Sequence, residues 1–389
     1  MSEMANEAAA YADRVLRGSA ADPAFVALLD QLEISLLAVI RPGAAVAFGA
    51  IGGALTVSCT PIADPMGLAF DGRRLAIGGR REITVFAPSL RLAEHLPGKE
   101  GRHDVIFVPV TLHRTGECTI HDMAFDGSSV VFANTLFSCV ARAEGTQSFI
   151  PLWRPSFISK LMPEDRCHLN SFEIENKRLR YVTAFAETDT FQGFRKLPID
   201  AGVIIDVERN SAAVTGLIKP HSVRLFDGRL YVLNSGAGEV LRLDPEARTS
   251  EKLAVLPGFT RGLRRHGSVL FVGLSTLRAT AVALDLPLSG RADSLVAGIA
   301  ALDLATGRLL GMLRFAPGVE ELFDFVVMPG VRRALVFDPV LDAPIVAIET
   351  PEGSFLMSAG QGSEVKRAVS AAPPPAKRTT RKRKKDQAP

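Results

Sequence analysis

Pro220-His221-Ser222-Val223-Arg224-Leu225-Phe226-Asp227-Gly228, followed by Leu230-Tyr231-Val232-Leu233, decides how the 389-residue chain is read. A turn runs into an apolar strand, an Asp-Gly turn reverses the chain, and a second β-rich run follows, which is the signature of a tight hairpin. The same unit recurs at Pro65-Met66-Gly67-Leu68-Ala69-Phe70-Asp71-Gly72, at Ile120-His121-Asp122-Met123-Ala124-Phe125-Asp126-Gly127 and at Cys167-His168-Leu169-Asn170-Ser171-Phe172. Two further copies begin at Arg261 and Glu321. Their second strands are expected over residues 73–78, 130–134, 179–184, 230–234, 269–274 and 334–338.

Measured between the corresponding positions Gly67, Asp122, Leu169, Ser222, Gly262 and Leu322, the spacings are 55, 47, 53, 40 and 60 residues. Each spacing suits one four-stranded blade with loops of varying length. The expected fold is therefore all-β, a six-bladed β-propeller over residues 36–358. Seven blades is the alternative count, because residues 36–60 and 340–358 either close one blade jointly or form a further partial one. Helical periodicity is confined to about Glu7 to Leu37, where Phe25, Leu28, Leu29 and Leu32 fit a short helix running into a first strand. Residues 1–35 are read as an N-terminal helical segment.

From about Gly360 the chain becomes Ala, Pro, Lys and Arg, a composition that cannot bury enough apolar surface to order itself. Residues 360–389 are read as a disordered basic tail. Nine Lys or Arg and no acid lie between Lys366 and Lys385. Without them and Asp386, the chain's 45 basic and 42 acidic residues fall to 36 and 41, a balance of −5. The basic pI of 8.7 therefore belongs to the tail and does not imply a basic groove on the fold. The run Arg381-Lys382-Arg383-Lys384-Lys385 suits weak contact with nucleic acid or an anionic surface, or else simply solubilises the chain.

Residues 1–10 lack the basic and apolar regions of a secretory signal. Residues 43–59 are uncharged, but their length and four glycines suit buried strands rather than a spanning helix. The four cysteines, Cys59, Cys118, Cys139 and Cys167, have no CxxC spacing and are read as reduced thiols in a cytoplasmic protein without a membrane span.

In a propeller the innermost strand of each blade lines the central channel, so the turns that lead into it project side chains at one mouth. His121, His168 and His221, three of seven histidines, fall in phase with the repeat and are expected to converge there with Arg261 and Glu321. Three imidazoles and a carboxylate suit Zn, Mn or Fe, so His121, His168, His221 and Glu321 are the candidate ligands of a divalent transition metal. The alternative is that each histidine is a structural hydrogen-bonding residue. Asp122 and Asn170 are candidate acceptors for the imidazoles. Arg261 and Asp122 are the candidate catalytic groups, and Arg154, Arg166, Asn170 and Arg224 the candidate substrate-binding groups. Arg154 and Arg166 lie in the long connection before His168 and suit a carboxylate or phosphate, with ion pairs to Glu164 or Asp165 as the alternative. His113 is expected near the same mouth. Gly236-Ala237-Gly238 is read as a hairpin turn, since it lacks the strand, helix and acid of a dinucleotide site.

The ordered motifs His121-Asp122, Asn134-Thr135-Leu136-Phe137-Ser138-Cys139, Trp153-Arg154-Pro155, Glu164-Asp165-Arg166-Cys167-His168-Leu169-Asn170, Tyr181-Val182-Thr183-Ala184, Pro220-His221-Ser222, Pro257-Gly258-Phe259-Thr260-Arg261-Gly262-Leu263 and Phe271-Val272-Gly273-Leu274-Ser275 resemble a family of bacterial proteins known mainly as a domain of unknown function. The resemblance spans roughly residues 36–345 and implies a propeller-like fold, with no established activity. More loosely, the Pro-Met-Gly-Leu-Ala-Phe-Asp-Gly unit resembles six-bladed gluconolactonase-type propellers. Those hold their metal with acidic and amide groups, whereas this chain offers histidines.

The expected function is a metal-dependent lyase or hydrolase acting on a small polar or anionic molecule. The alternative is a non-enzymatic propeller that binds a ligand or peptide.

Overall fold

The computed structural model describes residues 3–96, 101–244, 249–277, 285–337 and 345–358. The basic tail, expected to be disordered, lies outside the described residues.

Six four-stranded antiparallel blades surround one channel. Blade 1 comprises Leu68–Phe70, Leu75–Gly78, Glu82–Ser89 and Val105–Arg114, and blade 2 Ile120–Asp126, Ser129–Asn134, Cys139–Ala143 and Ile150–Trp153. Blade 3 comprises Leu169–Glu175, Arg178–Ala184, Gly202–Asp206 and Ser211–Leu217, and blade 4 Pro220–Phe226, Arg229–Asn234, Glu239–Asp244 and Thr249–Val255. Blade 5 comprises Phe259–His266, Val269–Ser275, Gly298–Asp303 and Leu309–Arg314. In each, the first strand is innermost, as the repeat predicts.

Blade 6 is made from both ends of the propeller segment. Its innermost strand, Glu321–Pro329, pairs antiparallel with Ile34–Arg41, which continues into Ala44–Ile51 and Ala54–Pro61. The six-blade count therefore holds, but the closing partner differs from either arrangement expected for residues 340–358. Ala334–Val336, expected as the second strand of the sixth unit, instead pairs in parallel with Val105–Phe107 on the outside of blade 1. The second position of blade 6 is already filled by Ile34–Arg41, buried over nearly all its length, and a sheet edge has room for only one partner. Residues Ile345–Thr350 and Gly353–Ser358 form a separate hairpin.

The N-terminal segment folds as two helices, α1 (Glu3–Gly18) and α2 (Pro23–Leu32), with Ala20–Ala21 between them added to the outer edge of blade 5. Pro23 suits the first helical turn, where its missing N–H costs nothing. The Asp22 carboxylate accepts from Met312 N and pairs with Arg314, which pins the start of α2 to blade 5. Phe25 and Leu29 are fully buried, and Gly311 permits the approach, since a Cβ there would meet the Phe25 backbone. The apolar stripe of α2 thus packs on blades 5 and 6, beside the closure.

Side chains of the innermost strands also tie neighbouring blades. Asp122 Oδ2 accepts from Phe172 N, Ser171 Oγ from Val223 N, Ser222 Oγ from Gly262 N, and Asp324 Oδ2 from Leu68 N. These backbone amides face the channel, where no strand can pair with them, so the side chains satisfy donors that would otherwise be buried unpaired.

Candidate functional site

The turns leading into the innermost strands open on a cavity of about 590 Å³ at one mouth of the channel. His121, His168, His221, Arg261 and Glu321, the residues expected to converge, all line it. The wall also includes Phe185, Phe194, Phe259 and Phe323, with Arg41, Arg80, Arg195 and Lys219.

The histidines are not equivalent within their blades. Ile120, Leu169 and Pro220 occupy the same register against the second strand, opposite Asn134, Ala184 and Asn234. Counting from them, His121 matches His221 and Asn170, whereas His168 matches Thr119 and Lys219. A shared hydrogen bond supports that alignment. His121 Nδ1 meets Thr119 O at 3.0 Å, His221 Nδ1 meets Lys219 O at 3.0 Å, and Asn170 Nδ2 donates to His168 O at 3.3 Å. Thr119, His168 and Lys219 all adopt left-handed backbone, with φ of 54°, 52° and 52°. The spacing read from the sequence was therefore two residues out of phase in blade 3.

A carbonyl oxygen only accepts, so the neutral rings of His121 and His221 carry their proton on Nδ1 and present Nε2 as an acceptor. Thr135 Oγ1 and Ser235 Oγ lie 2.8 and 3.0 Å from the same two Nδ1 atoms. Burial, reinforced by the nearby Arg261, holds both imidazoles well below the ordinary histidine value. His168 Nδ1 instead meets the Asp165 carboxylate at 2.9 and 3.1 Å. Among the described residues no Nε2 of the three has a hydrogen-bond partner. The His121 and His168 rings stand 5.1 Å apart, edge to face.

Arg261 donates to Glu321 at 2.8 Å and its guanidinium covers the Phe323 ring at 3.7 Å from the centroid. Glu321 is thus committed to an arginine. Among the described residues, no group of three or more His, Cys, Asp or Glu could hold a metal ion. The histidine phase difference is one physical reason: equivalent side chains of a closed repeat point at one axis, and His168 departs from the other two. The donor set does not fit the expected metal centre.

The remaining expected site residues lie elsewhere. Asp122 does not hold an imidazole: it makes two bonds to Arg224, both 2.9 Å, deeper in the channel. Arg224 is therefore committed to that pair, and a parallel pair joins Arg264 to Asp324 at 2.9 and 3.0 Å. Asn170 donates to Pro220 O and accepts from Thr183, lining only a void of about 10 Å³ beneath the histidines. Arg166 pairs with Glu164 at 2.7 Å and with Asp189 at 2.5 Å, away from the cavity. Arg154 is exposed beyond the outermost strand of blade 2. His113 sits on the outermost strand of blade 1, bonded to Ser148 O. Strand order explains the misses of Arg154 and His113, at the outer edges of their blades, whereas Asp122, Asn170, Arg224 and Arg166 are held by partners of their own.

Beyond the void, at the other end of the innermost strands, a second cavity of about 330 Å³ is lined by Asp122, Glu173, Arg224 and Arg264. Burial pushes the Glu173 carboxyl up to about 7, with Asp122 adding to the shift and Arg224 opposing it.

Sequence reading missed Lys219, Phe323, Phe185, Phe194, Arg195, Arg41 and Arg80. Lys219 and Phe323 were within reach, being two residues before His221 and two after Glu321 in units already recognised. Phe194 and Arg195 come from an excursion between the second and third strands of blade 3, which has no counterpart in the repeat. Lys219 is 7% exposed, and its ammonium lies 4.8 Å from the Phe185 centroid and 5.6 Å from that of Phe194. It makes no hydrogen bond or ion pair among the described residues. Burial, with Arg195 adding, lowers its amine below the ordinary lysine value.

All four cysteines are free thiols in the structure. No helix among the described residues is long and apolar enough to cross a membrane.

A family model described as "Domain of unknown function (DUF4915)" matches residues 23–337, so the match starts at α2 rather than at residue 36. No curated protein matches. Among solved structures, a chain in the crystal structure of a nidogen/laminin complex aligns with 14% identity and a TM-score of 0.49, over 76% of this chain and 99% of that one. A protein of unknown function from Bacteroides caccae aligns with 9% identity and a TM-score of 0.47, over 76% and 98%. Neither likeness bears on ligand or chemistry.

Proposed function

The chain belongs to the DUF4915 family of domains of unknown function, and we propose that its propeller binds a small organic anion with an apolar body in the central cavity. The observation that carries this is the charge of the wall. Arg41, Arg80, Arg195, Lys219 and Arg261 face the cavity against one lining carboxylate among the described residues, Glu321. Arg80 is paired with Glu117, and Arg41 and Arg261 share Glu321. Arg195 and Lys219 have no acidic partner among the described residues, so a ligand anion would supply the missing counter-charge. Phe185, Phe194, Phe259 and Phe323 provide the apolar contact that small-ligand sites ordinarily use. The Nε2 acceptors of His121 and His221 suit a ligand hydroxyl or amine.

Phenyllactate, which combines carboxylate, hydroxyl and ring, is a suitable first probe, read by titration calorimetry. Saturable binding that weakens with added salt is expected; absence of binding for a panel of aryl and alkyl 2-hydroxy acids would count against the reading.

A specific arrangement favours catalysis over binding alone. The Asp165 carboxylate accepts from His168 Nδ1, which orients the ring and leaves its Nε2 as the acceptor for a ligand proton. Proton transfer at the carbon beside the ligand carboxylate fits the lyase reading. Exchange of that proton with deuterated solvent, lost in His168→Gln, tests it.

A further inference from the structure

Lys219 sits in the cavity wall in a way that ion binding alone does not require. It is the turn residue immediately before the innermost strand of blade 4, and its backbone carbonyl anchors His221. Its side chain is buried against Phe185 and Phe194 with no carboxylate, carbonyl or hydroxyl bonded to it among the described residues. The same two rings hold His168, whose centroid lies 4.3 Å from Phe185 and 4.8 Å from Phe194. An ammonium without a counter-ion is costly to bury, whereas a neutral amine in an apolar box is a nucleophile.

Resting on the reading that the cavity takes an organic anion, we infer that the ligand is a carbonyl compound, a 2-oxo acid or its like, and that Lys219 Nζ condenses with it to an imine. The nitrogen lone pair forms the N–C bond while the carbonyl π pair moves to oxygen. One proton leaves nitrogen and one arrives on oxygen, giving the carbinolamine. The nitrogen lone pair then expels the protonated hydroxyl as water, and nitrogen gives up its last proton. Amine and carbonyl become imine and water with no other reactant. His168, on the same rings and oriented by Asp165, is placed to take the proton from nitrogen and return it to the departing oxygen. The cavity arginines hold the carboxylate of the bound acid.

The test is reductive trapping. The full chain is incubated with phenylpyruvate and cyanoborohydride and then mapped by peptide mass spectrometry. Lys160, Lys177, Lys196 and Lys252 are exposed and serve as internal controls. A reduced adduct concentrated on Lys219, and missing from Lys219→Met, is expected. Adducts spread over the exposed lysines with Lys219 unmodified would overturn the inference, and the wild-type map gives that result whether or not the variant folds. Phenyllactate, which has a hydroxyl in place of the ketone, separates the two claims. If it binds and Lys219 is not trapped, the imine falls and the anion site stands; if it does not bind and Lys219 is not trapped, both fall.

Discussion

Asp122 and Arg224 are 102 residues apart and meet through two hydrogen bonds of 2.9 Å each, so an acid of blade 2 is held by an arginine of blade 4 across blade 3. Arg224 Nη1 also donates to Phe172 O of the blade between. One side chain thus ties three consecutive blades inside the channel.

Removing one partner of a buried pair strands the other. Arg224→Met should therefore destabilise the fold by about 3–5 kcal/mol, and Arg224→Met with Asp122→Asn should recover part of that loss. Urea denaturation of the three proteins measures both; a double variant no more stable than the single one would argue against the pair as the source.

Glu173 gives stability a pH dependence of the opposite sense from an ordinary surface carboxylate. Its folded value of about 7 lies above the ordinary 4.5, so the folded state binds more protons than the unfolded one between those values. Stability from this group is therefore greatest below 4.5 and is lost as pH rises through 7. Glu173→Gln should raise stability at pH 8 by roughly 1–3 kcal/mol and change little at pH 4. Melting curves at both pH values test the sign.

His121 and His221 behave in the reverse direction. Their folded values lie well below 6.5, so the unfolded chain takes up protons first and stability falls as pH drops through 6.5 toward the folded values. Histidine ring resonances in NMR spectra should show both as neutral Nδ1–H tautomers at pH 6. A midpoint at or above 6.5 for either would contradict the buried hydrogen-bonded geometry.

Arg261 is the cavity cation fixed in place on both sides, by Glu321 and by the Phe323 ring. Charge-assisted hydrogen bonds contribute about 1.5–3 kcal/mol, which corresponds to roughly a tenfold to hundredfold loss of affinity. Arg261→Gln should weaken phenyllactate binding within that range and flatten its salt dependence. An unchanged Kd in calorimetry would remove Arg261 from the anion site.

The commitment of Glu321 to Arg261 bears on metal content. Protein purified without an affinity metal column is expected to carry only traces of Zn, Mn or Fe by elemental analysis, unaltered in His121→Ala, His168→Ala and His221→Ala. Near-stoichiometric metal lost in all three variants would restore the three-histidine centre.

Strand periodicity, Asp-Gly turns and the recurrence of the unit were enough to read six blades, their innermost strands and the convergence of His121, His168, His221, Arg261 and Glu321 on one mouth. Those features are local, because the alternation of apolar residues and the chemistry of a turn are written within a few positions. The closure of blade 6 was not legible, since Glu321–Pro329 finds Ile34–Arg41 across nearly the whole chain and no local signal names a partner at that separation. The roles of the polar residues were decided at the same distance. Asp122 looked like a partner for the histidine beside it, but successive residues of a strand face opposite ways, and Asp122 was taken by Arg224. His168 looked equivalent to His121 and His221 until hydrogen-bond register placed it level with Lys219. Periodicity says which residues share a face, whereas which of them are spent on one another depends on charges brought together from separate blades.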